Sequence, residues 1–187
     1  METVRIHTPL ADATVGALRA GQPVLINGTV FTARDAAHKR FMELIVRGEP
    51  LPINLSGAVI YYVGPSPAPP GRVVGAAGPT TSSRMDSYTP ALLALGLKGM
   101  IGKGYRAPEV CRALRDYCAV YFAATGGAGA LLSQAIKHAR VVAYPELGPE
   151  AVYEFVLEDF PAVVANDIYG GDVYREGRRR YSLPLYE

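Results

Sequence analysis

Glycine and proline interrupt this chain so often that it cannot be built from long elements. The 187 residues include 20 glycines and 15 prolines. They gather in clusters such as the GPSPAPPG string at 64–71, and no solenoid-type period connects them. Short apolar runs lie between. Val24 to Ile26 and Val30-Phe31 flank Asn27-Gly28, which predicts a turn or bulge between extended pieces. From Arg34 to Val46 the pattern is helical, with Ala37, Phe41, Leu44 and Ile45 on one face. Ala58 to Val63 reads as a strand, and Val73-Val74 as the start of another that stops at Gly78. Ser83 and Asp86 have capping-box spacing ahead of a helix through Leu92, Leu93 and Leu95. Gly99 to Gly104 is a short strand entering a glycine turn, and Pro108 opens a helix. Val120 to Ala124 is a strand and Gly127 to Lys137 a helix. Val141-Val142, Val152 to Leu157 and Val163-Val164 close the sheet, with Pro145 and Pro161 marking breaks. Helices and strands alternating in the middle, with extended pieces at both ends, predict a layered α/β domain with a mixed sheet. One domain over 1–187 is expected, with 175–187 as a C-terminal tail.

Composition excludes several classes of partner. The net charge of +2 makes no field for nucleic acid or an anionic membrane, and Arg178 to Arg180 read as a solvated basic run. The start of the chain, with Glu2, Arg5 and His7, lacks the apolar run of a secretory signal. Tyr117 to Ile136 carries no charge and has the length of a membrane span. Its glycines, Ser133 and Gln134 favour a buried strand, a glycine turn and a small-residue helix instead. The expected location is the cytoplasm. Cys111 and Cys118 stand seven apart in a helical pattern, about 10 Å along the axis, which excludes a disulfide within that helix. Neither belongs to a Cys-x-x-Cys pair, so no metal ligands are assigned to this chain.

Four polar clusters sit where strands end or helices begin, where α/β sheets collect ligands. In Thr32 to His38, Arg34 and His38 share a helix face and Asp35 is within reach of the ring. That is either an anion clamp beside a proton carrier, or an Asp35–Lys39 helix-start pair with a surface histidine. In Gly78 to Arg84, four consecutive hydroxyls precede a helix start and an arginine follows. Such a start favours an anion, and the guanidinium fork matches a carboxylate; a plain N-cap is the alternative. Gly102-Lys103-Gly104 lets backbone and charge approach a ligand without the spacing of a P-loop. Glu146, in Pro145 to Gly148, belongs to a turn or to a site. Arg34, Arg84 and Lys103 together suit a small dianion such as a dicarboxylate.

The strings GTVFTARDAAHKR, GPSPAPPGRVVGAAGPTTSSRMD, LGLKGMIGKG and VVAYPELGPEAVYEFVLEDFPAVV resemble the C-terminal half of class I, iron–sulfur-dependent fumarate hydratases. They also resemble the separate β subunits of fumarate hydratases and L(+)-tartrate dehydratases. The resemblance runs from about Pro9 to Tyr174. It implies a swivelling β/β/α domain and a hydro-lyase that reversibly adds water to a dicarboxylate alkene. The cofactor it implies is a 4Fe–4S cluster held by three cysteines, with one iron acting as a Lewis acid. Two cysteines cannot supply three ligands, so the cluster is expected on a partner α subunit and this chain is expected to be inactive alone.

By the same resemblance Arg34, Arg84 and Lys103 are substrate-carboxylate ligands, and Thr80 corresponds to a threonine proposed as the catalytic base. His38 stands at a position sometimes assigned to the active site. A threonine hydroxyl needs a carboxylate to take its proton. Asp35, Asp86 or a partner residue could do so, whereas His38 has the better intrinsic pKa. Fumarate is preferred over tartrate because the motifs read closer to the fumarase pattern, and Ala37 stands where tartrate-type chains tend to carry cysteine. A non-catalytic anion-binding or regulatory module is the reading from another class. A generic phosphate-binding domain lacks an acidic residue placed for magnesium.

Overall fold

The computed structural model describes residues 2–182. In chain order the strands are β1 Val4–His7, β2 Pro23–Thr32, β3 Val59–Tyr61, β4 Gly99–Gly102, β5 Val120–Ala123, β6 Ile136–Ala143 and β7 Val152–Asn166. The helices are α1 Asp12–Ala17, α2 Asp35–Arg47, α3 Thr89–Ala94, α4 Pro108–Asp116, α5 Gly129–Leu132 and α6 Val173–Tyr181. The sheet order is β1-β2-β3-β4-β5-β7-β6, and β2 also pairs with β7. Strands β1 to β5 run parallel to one another. Strand β7 runs antiparallel to β2, β5 and β6, so it closes β2 through β5 into a ring.

Strands β3 to β5 are covered on both faces, and their side chains divide by the two-residue period of a strand. Val59, Tyr61, Ile101, Val120 and Phe122 point into a core shared with Phe155, Phe160 and Val164 of β7. Ile60, Tyr62, Met100 and Tyr121 point the other way, onto Phe41 of α2, Leu92 of α3 and Leu114 of α4. The result is the expected β/β/α layering. Double burial also explains why these strands read as continuous apolar runs.

Several local expectations change. Asn27-Gly28 is a bulge inside one strand, not a turn between two. Gly28 has φ +99°, and a Cβ there would sit 2.6 Å from Thr8 Oγ1, so only glycine fits. Asn27 answers Asp159 across the bulge, accepting from its backbone N–H at 2.9 Å. Pro161 does not break β7; it lies within it opposite Leu25. Pairing with β6 ends at Leu157 and pairing with β5 starts at Val163, so that edge of β7 needs no donor at Pro161. Val73-Val74 forms no strand. The helix expected over Gly127 to Lys137 shrinks to α5 and a 3₁₀ turn, because β6 takes the chain from Ile136.

The Ser83–Asp86 capping box does not form. Residues Ser82–Met85 make a 3₁₀ turn without a side-chain cap, and α3 starts at Thr89 with Pro90 in its first turn. Cys111 lies on α4, but Cys118 lies beyond its end with φ +51°, so the two do not share a helix. Arg178 to Arg180 belong to α6, whose N-terminus is capped by the Asp172 carboxylate accepting from Tyr174 N and Arg175 N. The rest of the expected tail, 183–187, lies outside the described residues. Among the described residues no helix is long and apolar enough to cross a membrane.

Candidate functional site

Four parallel strands, β2 to β5, end along one edge, and the chain leaves each end through a loop rich in glycine, hydroxyls or charge. Arg34 follows β2 and precedes α2 in extended geometry. Its side chain lies against Gly64, beyond the end of β3, where a Cβ would come within 2.9 Å of Nη1. The 3₁₀ turn Ser82–Met85 and the hydroxyls before it are laced across the ends of β3 and β4. Thr80 N donates to Tyr62 O at 2.7 Å, Lys103 N donates to Thr80 O at 3.1 Å, and Ser82 N donates to Lys103 O at 2.9 Å. The backbone therefore places Thr80 beside Lys103. The Lys103 side chain runs over Gly126, beyond β5, where a Cβ would meet its Cδ at 3.1 Å.

Charge links the two arginines. Arg84 donates to Asp35 through Nε at 2.9 Å and Nη2 at 2.6 Å, a two-pronged pair. The same carboxylate lies 4.0 Å from Arg34 Nε, and Arg34 Nη2 lies 3.4 Å from Glu150. Glu150 also accepts from Ala36 N at 2.9 Å, so a carboxylate far along the chain caps the start of α2. Arg34 Nε is buried and bonds nothing among the described residues. Arg34, Asp35, Arg84 and Glu150 thus form one chain of charge, with Thr80 and Lys103 on the neighbouring loops. The Asp35–Lys39 pair does not form. Glu146 lies in a 3₁₀ turn and pairs with Arg40 at 3.7 Å.

His38 is placed differently. It is fully buried, not a surface residue, among Phe41, Tyr62 and Tyr88. Its Nδ1 lies 2.8 Å from Arg34 O, while Nε2 bonds nothing among the described residues. Burial above all lowers its pKa to about 4, so the ring is neutral near pH 7. Asp35 does not hold the ring; the Arg34 carbonyl does.

The sequence reading missed a third arginine. Arg106 has no exposed side chain, and its Nε donates to Asp86 Oδ1 at 2.6 Å. Its Nη2 donates to Thr89 Oγ1 at 2.7 Å, and its guanidinium lies over the Tyr62 and Tyr121 rings. Burial works against its charge, but Tyr62 and Asp86 outweigh it and the net shift is upward. Asp86 also accepts from Ala107 N at 2.8 Å, one residue before α4. Tyr121 OH donates to Gly104 O at 2.8 Å and lies 2.8 Å from Ser82 Oγ. This buried hub anchors both the Ser82 turn and the Gly104 turn, and so fixes the loops that carry Thr80, Arg84 and Lys103.

The thiols do not fit a cluster that needs three of them. Cys111 faces Asn166 and Arg106 O, whereas Cys118 faces Asp12 O. Among the described residues, three His, Cys, Asp or Glu side chains nowhere converge as a metal ion would need.

The family described as "Fumarase C-terminus" matches residues 1–177. The chain is 40% identical to "Fumarate hydratase 2" of Leishmania major over 156 residues, 82% of this chain and 28% of the relative. It is 41% identical to "Fumarate hydratase class I, anaerobic" of Escherichia coli (strain K12) over 153 residues, 81% of this chain and 28% of the relative. It therefore spans little more than a quarter of these relatives. A third, from Methanocaldococcus jannaschii, is named "Putative L(+)-tartrate dehydratase subunit beta"; it is 36% identical over 184 residues, 95% of this chain and 94% of the relative. With one family matched over almost its entire length, the chain belongs to the fumarase C-terminus family.

Proposed function

We propose that this chain is the β subunit of a cytoplasmic two-subunit hydro-lyase that reversibly hydrates fumarate to malate and works only with an α subunit. The observation that carries the reading is the collection of Arg34, Thr80, Arg84 and Lys103 at the carboxyl ends of β2 to β5, on an edge open to a partner. Three cations there against two carboxylates leave a positive balance that favours an anion, and two separate guanidinium groups suit one with two carboxylates. Arg84 keeps Nη1 unbonded among the described residues while Asp35 fixes the rest of its fork, so it offers a set orientation to one substrate carboxylate. Arg34 offers a second guanidinium, and Lys103 a point charge on a longer stem.

In this reading Thr80 transfers the proton at the substrate carbon. Its backbone is pinned at 2.7 Å to Tyr62 O, and no side-chain hydrogen bond engages its hydroxyl among the described residues. A hydroxyl of ordinary acidity must pass its proton to a stronger base. Asp86 is sealed against Arg106 and Asp35 is held by Arg84, so the α subunit supplies that carboxylate. His38, neutral and enclosed, positions the Arg34 backbone rather than touching substrate. The α subunit would carry the 4Fe–4S cluster, whose Lewis acidity acts on the substrate hydroxyl.

The test is hydration of fumarate by anaerobically reconstituted α plus β chains, followed at the alkene absorbance, with each chain alone as control. Activity should require both chains and vanish in air. Thr80→Ala should keep assembly and lower kcat by roughly 10²- to 10⁴-fold. A stable complex with an intact cluster and no turnover of any dicarboxylate would leave a binding or regulatory module. The M. jannaschii relative favours a second reading, a tartrate dehydratase β subunit, because it matches this chain nearly end to end. A higher kcat/KM for L(+)-tartrate than for fumarate would decide for it.

A further inference from the structure

Arg106, besides anchoring the loops, forms part of the wall of a cavity of about 370 Å³ between α4, the turn after β7 and the start of α6. The wall also includes Cys111, Arg112, Arg115, Asn166 and Arg175. Its acidic groups are already used by backbone donors. Asp167 accepts from Ala20 N, Tyr169 N and Gly171 N, and Asp172 from Tyr174 N and Arg175 N, all at 2.8–3.1 Å. Unlike Arg106, the other arginines of the wall have no such partners. Among the described residues Arg112 and Arg115 make no ion pair, and the Arg175 guanidinium donates only to the Gly170 carbonyl, at 3.2 Å. The cavity wall therefore holds three guanidinium groups that no carboxylate pairs with at salt-bridge distance, beside two carboxylates bonded to backbone N–H groups, and the balance stays positive.

One buried group asks for something more. Asn166 is 2% exposed, and its Oδ1 bonds nothing among the described residues. Its Nδ2 has only the Cys111 sulfur, at 3.7 Å. A buried amide oxygen without a donor is costly and rare in native proteins. Guanidinium forks match carboxylate and phosphate, and an unpaired acceptor matches a hydroxyl.

We propose that this cavity is a second ligand site, for a small hydroxylated oxyanion. Arg112, Arg115 and Arg175 hold the anionic head, and Asn166 Oδ1 accepts from the hydroxyl. Inorganic phosphate, which keeps a proton near neutrality, and a hydroxydicarboxylate such as malate share this chemistry. Succinate carries the carboxylates without the hydroxyl.

The two cysteines give a built-in readout. Cys111 lines the cavity, whereas Cys118 faces Asp12 O beyond the end of α4 and serves as an internal reference. Burial raises both thiol pKa values, so alkylation of the full chain by iodoacetamide at about pH 8.5 is slow enough to follow by peptide mass spectrometry. Phosphate or malate should slow Cys111 by roughly fivefold at several times its dissociation constant, and leave Cys118 unchanged. Whichever of the two protects at the lower concentration identifies the source. Sodium chloride at equal ionic strength should do neither, and succinate should protect less than malate. Protection should disappear in the Arg112→Gln/Arg115→Gln variant, whose altered side chains are exposed, and persist in Arg84→Gln. Equal rates with and without both anions would overturn the site. Protection lost in Arg84→Gln but kept in Arg112→Gln/Arg115→Gln would also overturn it, since the ligand would then act from the strand-end edge.

Discussion

Arg84 and Asp86 stand two residues apart, and each takes part in an arginine–aspartate pair. Arg84 reaches Asp35 with side chains 48% and 34% exposed; Asp86 reaches Arg106 with side chains 10% and 0% exposed. The shortest contact is 2.6 Å in both. Water competes for the outer pair, and salt screens it, so its contribution to folding is small and its partners can be exchanged. The inner pair has no water to fall back on. Thr89, the Tyr62 hydroxyl and Ala107 N complete its hydrogen bonds. Distance alone thus fails to separate an arginine that holds the fold from one that can hold a ligand. Depth, and what else satisfies the group, does separate them.

The largest effect expected from breaking this contrast is at the inner pair. Asp86→Ala leaves the Arg106 guanidinium buried without its counter-charge and removes the acceptor for Ala107 N. Loss of one partner from a buried pair costs about 3–5 kcal/mol. Urea denaturation should show that loss, and the variant's soluble yield should fall with it. A change below about 1 kcal/mol would mean that water enters the hub and that the two pairs differ less than their exposures indicate.

His38 sharpens the inner side through pH. Its ring lies 5.5 Å from that of Tyr62, whose hydroxyl receives Arg106 Nη1. Burial first, and then the Arg106 charge, lower its pKa to about 4, against the pull of Arg34 O and Asp35. The unfolded chain takes up this proton near pH 6.5 and the fold refuses it until about pH 4. Stability is therefore fully present above pH 6.5 and falls as the pH drops towards 4. At about 1.4 kcal/mol per pH unit the whole window is worth about 3 kcal/mol. Denaturation of the wild-type chain at pH 7 and pH 5 should show part of that loss. In His38→Gln the slope between the two should flatten. An unchanged slope would place the loss on other titrating groups.

What could be read from the sequence follows the same division. The strand-end loops were legible because their chemistry is local: Arg34, Arg84 and Lys103 each stand among glycines or hydroxyls, and the parallel strands brought those loops to one edge. Arg106 was not legible. In GKGYRAP it looks like one more surface cation, and nothing nearby announces that Asp86, in another loop, caps its helix. Glu150 was missed for the same reason, since it reaches Arg34 and Ala36 N only through tertiary folding. His38 did carry a signal. It lies three residues before Phe41, on the apolar side of α2, and that spacing was outweighed by the charged residues beside it. Strand β7 was read as two pieces because Pro161 suggests a break, whereas the free edge that accommodates it depends on where β6 and β5 end.

The smallest effect on the fold is expected at the outer pair, where the contrast between holding and binding can be measured directly. Arg84→Gln and Asp35→Asn each remove a half-exposed charge, so stability should change by no more than about 1 kcal/mol. In the assembled enzyme the two should differ. Arg84→Gln removes the guanidinium proposed to hold a substrate carboxylate and should raise KM by roughly tenfold or more, a charge-assisted hydrogen bond being worth about 1.5–3 kcal/mol. Asp35→Asn leaves Arg84 charged but frees its fork, so KM should rise less, and Asp35→Glu should restore part of the difference. Equal effects of Arg84→Gln and Asp35→Asn on KM would mean that the orientation of the guanidinium matters as much as its presence. No effect of either would remove Arg84 from the proposed substrate-binding set and leave it a surface cation that neither holds the fold nor binds a ligand.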